Sequence, residues 1–171
     1  EPRPLKLGDI AILLRTLSDA QVYEEALRAH GLSYYLAGGH AFYSQQEIYD
    51  VLNLFRAVSS EVDEIALAGA LRSPLFSLAD EPLYWLVERH KSLNAALAAA
   101  HEPPAELEVT EAAKVRRAAA TMQNLRDEKD RLLVADLFTL AMELTGYDAV
   151  LLTEFLGPRK AANIEKLIEQ A

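Results

Sequence analysis

Along Asp9-Ile10-Ala11-Ile12-Leu13-Leu14-Arg15 the apolar residues stand at consecutive positions rather than alternate ones. That is the pattern of a parallel strand covered on both faces. Ser18-Asp19-Ala20-Gln21 has the spacing of a capping box, and Val22, Tyr23, Ala26 and Leu27 then fall on one helical face that ends at Gly31. Leu32 to Ala37 reads as a second short strand, closed by Gly38-Gly39. Strand, helix and strand with short links make one βαβ unit, expected to be right-handed. A second box at Ser44-Gln45-Gln46-Glu47 starts a helix whose core stripe is Ile48, Val51, Leu52, Phe55 and Val58.

Beyond residue 58 the pattern is helical throughout. Asp63–Arg72, Asp80–His90, Ser92–Ala100, Thr110–Arg131, Val134–Leu144 and Pro158–Gln170 all read as helices. Pro74 and Pro103-Pro104 interrupt, Gly146 ends one helix, and Gly157-Pro158 opens another. The fold expected is therefore mainly α, a helical domain preceded by a short βαβ edge of an α/β lobe. A doubly covered strand is out of place in a lone two-stranded sheet, so further strands are expected in sequence outside this chain. The first residue is Glu1 rather than Met, which fits an excised piece. The strand at 10–14 is expected to be covered by the helices or by another copy.

The 171 residues carry 17 basic and 26 acidic side chains, a formal net charge of −9. Residues 61–108 hold 3 basic and 9 acidic residues, a poor surface for phosphates. The stretch Lys114–Arg131 is locally basic, with Asp127, Glu128 and Asp130 interleaved, and reads as a solvated helix face. There are no cysteines, which excludes disulfides and thiolate chemistry and fits a reducing, cytoplasmic compartment. No apolar run approaches the ~20 residues of a membrane span. No glycine precedes a lysine, so a phosphate-binding G-x-x-x-x-G-K-[ST] loop is absent, as are G-x-G-x-x-G and G-x-S-x-G. His30, His40, His90 and His101 lack metal-ligand spacing. No complete catalytic constellation is present.

The ordered set Asp9–Arg15, Glu24-Glu25-Ala26-Leu27, Gly38-Gly39 with Phe42, Gln46-Glu47-Ile48 with Asp50, and Leu71-Arg72-Ser73-Pro74-Leu75-Phe76 resembles the UvrD/Rep-type superfamily 1 DNA helicases, including their AddA/RecB helicase–nuclease branch. Thr145-Gly146-Tyr147-Asp148 and Asn163-Ile164-Glu165-Lys166-Leu167 resemble the same family near the end of the chain. The resemblance implies that residues 1–58 are part of the second RecA-like lobe and 59–171 its all-helical insertion. It implies a parent enzyme that uses ATP and Mg and moves 3′-to-5′ on DNA, single-stranded or duplex, in repair or recombination. A second helicase–nuclease subunit is a possible partner, and no membrane is involved. The chain alone, without the phosphate-binding loop of the first lobe, is expected to be inactive and to hold no nucleotide stably.

Arg15 is the residue the resemblance assigns to the ATP γ-phosphate, reached from across the cleft. A guanidinium stays charged and meets phosphate oxygens through two N–H bonds. The alternative is a strand-end arginine paired with Asp19. Many relatives have an aromatic residue before this arginine; here it is Leu14, which removes adenine stacking from that position. Gly38, Gly39, Phe42 and Glu47 are placed near the DNA track by the resemblance. Local chemistry offers another reading, in which the glycines make a tight turn, Phe42 staples the helix and Glu47 completes its cap. Ser77-Leu78-Ala79 stands where UvrD-like members carry a Gly-Ile-Gly turn preceded by a base, here replaced by Phe76. This speaks against duplex gripping and for the helicase–nuclease branch. Trp85 and Tyr84 read as core or partner-facing. A different class stays open: a non-enzymatic acidic helical module that docks a partner protein.

Overall fold

Helix α2, Gln46–Ser59, organises the chain. Its Ile48, Val51, Leu54 and Ala57 are fully buried and Val58 nearly so, because spacings of three and four return side chains to one face. In the computed structural model, which describes residues 3–16, 18–34 and 42–171, α2 is preceded by α1, Ala20–Ala29, and followed by seven more helices. These are α3 (Glu64–Arg72), α4 (Asp80–His90), α5 (Leu93–Ala98), α6 (Val109–Glu128), α7 (Val134–Thr145), α8 (Tyr147–Thr153) and α9 (Gly157–Glu169). Helix α2 packs on α3, α6 and α9; α4 packs on α5, α6 on α7, and α8 on α9. One hydrophobic core runs through α2 to α9, from Ile48 to Leu167.

Small residues set the closest approaches. Helix α3 turns Ala66, Leu67, Ala70 and Leu71 inward, and a Cβ at its Gly69 would lie 2.6 Å from Asn53 Nδ2 of α2. Helix α6 buries Ala112, Val115, Ala118, Met122 and Leu125 along its length. Phe55 of α2 stacks on Phe138 of α7 with centroids 4.0 Å apart. Polar side chains close the helix ends. Asp63 accepts from Ala66 N at 3.0 Å, and Glu64 accepts from Leu93 N at 2.7 Å at the start of α5. Arg117 donates to the carbonyls of Leu144 and Thr145 at the end of α7.

The chain is mainly α, as the pattern predicts, but no strand occurs among the described residues. After a single 3₁₀ turn at Leu7–Asp9, residues 10–14 run without regular structure and bend at Arg15. Ile10, Ile12 and Leu13 are 56, 55 and 93% exposed. The helices of this chain therefore do not cover residues 10–14, and the reason is physical. A strand needs a ladder partner, and among the described residues none is present to pair with it. The first half of the second expected strand is likewise irregular, and its remainder lies outside the described residues. Helix α1 starts from Asp19 with no side-chain cap, while the Gln21 amide turns out to Glu25. Gly31 ends it at φ +65°, where the missing Cβ lowers the strain, and Leu32 N bonds back to Leu27 O. Val22 and Tyr23 stay exposed.

Candidate functional site

Arg15 sits at the bend after the exposed apolar segment, itself exposed. Among the described residues it makes no hydrogen bond or ion pair, so the pairing with Asp19 is not formed. A guanidinium left unpaired in this way suits phosphate oxygens. The described residues hold no group of three or more His, Asp or Glu able to take a metal ion.

The other predicted residues divide. Gly38 and Gly39 lie outside the described residues. Phe42 packs against the core, with Lys166 Nζ 5.0 Å from its ring centroid and Tyr43 edge-on at 4.9 Å. Helix α2 begins with Gln45 at its N-cap, and the Glu47 side chain turns inward, 3% exposed, to accept from Asn163 Nδ2 at 2.7 Å. The partner is non-local: the donor is an amide on α9, 116 residues later in the chain.

One turn further along α2, Asp50 is 2% exposed. It accepts from Gln46 Nε2 at 2.7 Å and from the Tyr147 hydroxyl at 2.8 Å. Burial pushes the Asp50 carboxyl above its ordinary range; those two hydrogen bonds pull it down, and the charges of Glu154 and Glu47 push it up again. Burial, then the Asp50 charge, also pushes the Tyr147 phenol up, which keeps it a donor. Glu154 is itself paired with Lys160. Four residues from three of the motifs quoted above, Glu47, Asp50, Tyr147 and Asn163, thus form one buried polar seam between α2, α8 and α9. Sequence reasoning assigned Asn163 and Tyr147 no role. The available signal was that their motifs appeared together with Gln46-Glu47-Ile48 and Asp50.

At the Ser77-Leu78-Ala79 departure the backbone keeps a left-handed residue without glycine, Ser77 at φ +54°. Such a conformation costs a side-chain-bearing residue about 1–2 kcal/mol. Its flanks explain the retention: Phe76 and Leu78 are both buried. The N–H of Ser77 bonds Ser73 O at 2.8 Å and that of Leu78 bonds Leu71 O at 3.0 Å. Both donors are consumed internally. Lys114 brings an ammonium to Ser77 O at 2.9 Å, already paired with Glu111.

Comparison of the sequence with known families places the chain among the UvrD-like helicases. It belongs to the UvrD-like helicase C-terminal domain family, whose model matches residues 2–103. In particular, it is 29% identical to the ATP-dependent DNA helicase PcrA of Leuconostoc citreum over 99% of this chain. It is 44% identical to PcrA of Bacillus subtilis over 40% of this chain, and 35% identical to an ATP-dependent helicase/nuclease subunit of Bacillus anthracis over 47%. Both branches named by the resemblance are therefore represented among its relatives. The chain spans 23%, 9% and 6% of the lengths of these three proteins within the matched regions. Among the described residues, no helix is long and apolar enough to cross a membrane.

Proposed function

We infer that this chain is part of the motor of an ATP-dependent DNA helicase, of the helicase–nuclease type, that moves 3′-to-5′ on single-stranded DNA in repair or recombination. Residues 1–58 belong in this reading to the second motor lobe and 59–171 to its helical insertion. Arg15 meets the nucleotide phosphates across the cleft, while Gly38, Gly39, Phe42 and Glu47 lie along the DNA track. ATP and magnesium are held chiefly by the other lobe, and a second helicase–nuclease subunit is a partner of the whole. The observation that carries the reading is the exposed guanidinium of Arg15, unpaired among the described residues, at the end of its family motif. Closure of the lobes would bring that fixed charge to the phosphate as negative charge develops there.

The test is Arg15→Ala in the full-length helicase. ATP turnover with single-stranded DNA should fall about 10³-fold, with strand affinity changed by less than about threefold. Unchanged turnover would overturn the assignment.

A second reading has one observation in its favour. On α4, Tyr84 and Val87 are 58% and 42% exposed, beside the acidic Asp80, Glu81 and Glu88. That face suits a partner protein with a basic, apolar surface rather than DNA. Partner affinity retained without DNA affinity would favour it.

A further inference from the structure

Helix α9 carries two different faces. Ile164 and Leu167 enter the core. Beside them Arg159, Asn163, Lys166 and Gln170 recur at i, i+4, i+7 and i+11, one stripe of the helix and the residue that follows it. A polar stripe on an amphipathic helix ordinarily faces water. Here every member meets a residue between 24 and 47. Arg159, with its side chain only 12% exposed, lies 3.6 Å from Glu24 of α1 and 4.9 Å from the Tyr34 ring centroid. Asn163 holds Glu47, Lys166 covers the Phe42 ring, and Gln170 accepts from the Tyr43 hydroxyl at 3.3 Å. The stripe thus grips Tyr34 on one side of residues 35–41 and Phe42, Tyr43 and Glu47 on the other.

We propose that Asn163, with Arg159 and Lys166, is a positioning residue that sets the Phe42–Glu47 motif for DNA, so that α9 couples strand engagement to the helical domain. The proposal rests on the reading of Phe42 and Glu47 as DNA-proximal. The chemistry is that of a buried carboxylate given its orientation by a neutral donor, a cation over a ring, and an arginine stacked on a second ring. None of the four touches the nucleotide-facing Arg15, so their effect should fall on DNA dependence rather than on the chemical step.

The test uses the full-length helicase and measures ATP turnover against the concentration of oligo-dT. Asn163→Asp sets a second carboxylate against Glu47. It should raise the half-saturating DNA concentration about tenfold, with turnover at saturating DNA changed less than about threefold. A half-saturation within about twofold of wild type for Asn163→Asp would overturn the proposal. Should Asn163→Asp fail to fold, Lys166→Met at an exposed position decides: about a threefold rise in half-saturation supports the coupling, and none overturns it. Arg15→Ala run alongside separates the two claims. Turnover lost in that variant with DNA dependence unmoved in the stripe variants sinks the coupling alone; turnover kept by Arg15→Ala sinks the nucleotide assignment.

Discussion

Tyr147→Phe removes one oxygen and nothing else. The ring is fully buried, and phenylalanine refills it, so no cavity opens. What is lost is the bond from the hydroxyl to Asp50 Oδ2 at 2.8 Å, leaving Asp50 with Gln46 as its remaining donor. A hydrogen bond to a charged group contributes about 1.5–3 kcal/mol. For 171 residues at about 2.1 cal/mol/K each, unfolding entropy is about 0.36 kcal/mol/K, so a loss of about 2 kcal/mol lowers Tm by about 6 °C. The pH dependence supplies a second check. Asp50 titrates above its ordinary range in the folded chain, so it binds its proton more tightly folded than unfolded. The corresponding stability is present in acid and is lost as pH rises through the raised value. Without the tyrosine hydroxyl, one influence that lowers the Asp50 value is gone, and the carboxyl rises further. The difference between variant and wild type should therefore widen toward neutral pH and shrink in acid, where the carboxyl is neutral and the lost bond is an ordinary one. Urea denaturation followed by circular dichroism between pH 4 and 7.5 reads both. A difference below about 0.5 kcal/mol at neutral pH, or one that widens in acid, would refute the reasoning.

The backbone makes further demands at two glycines that differ in kind. A Cβ at Gly157 would stand 2.5 Å from Leu151 O and 2.7 Å from Leu152 O; these are backbone atoms, so Gly157→Ala should cost about 1–3 kcal/mol in the same assay. At Gly69 the obstacle is the Asn53 side-chain amide, which can swing aside while helix propensity improves. Gly69→Ala should stay within about 1 kcal/mol of wild type. Leu13→Lys tests the uncovered segment: at 93% exposure it should shift stability by no more than about 0.5 kcal/mol, and a loss above about 2 kcal/mol would mean that the side chain is buried after all.

What the pattern of residues disclosed was mostly what local physics decides. Helix α4 occupies Asp80–His90, the range its pattern predicts, and a helix follows within Ser92–Ala100, with Ser92 Oγ accepting from Ala95 N at its start. Gly146 ends α7 at φ +65°. Helix α8 escaped notice because its seven residues, Tyr147–Thr153, lie between two glycine signals and offer too few turns for periodicity. The central stripe of α2 was half legible: Ile48, Val51 and Val58 are buried as expected, but Leu52 is 37% exposed and Leu54 is fully buried in its place. The partner of Glu47 was out of reach for a different reason. Ser-x-x-Glu is a local signature, whereas the partner that claims the carboxylate is 116 residues away.

The same distinction accounts for the apolar run at residues 10–14. Consecutive isoleucine and leucine specify burial on both faces, but they do not supply the cover. A helix completes its hydrogen bonds within itself, so α2 to α9 can form whatever surrounds them. A strand cannot, since its donors and acceptors are satisfied only by a neighbour. Ile10, Ile12 and Leu13 therefore remain in water although each would contribute about 1.5–3 kcal/mol on full burial. Arg15 follows directly on that run. A strand laid beside residues 10–14 would fix the backbone from which its guanidinium projects, and no such pairing is present among the described residues. The α9 stripe lies on the opposite flank, against Tyr34 and against Phe42, Tyr43 and Glu47. The two ends of the 15–47 segment thus depend on different physics: one would be held by strand pairing that is absent among the described residues, the other is held by side chains of a helix more than a hundred residues later in the chain.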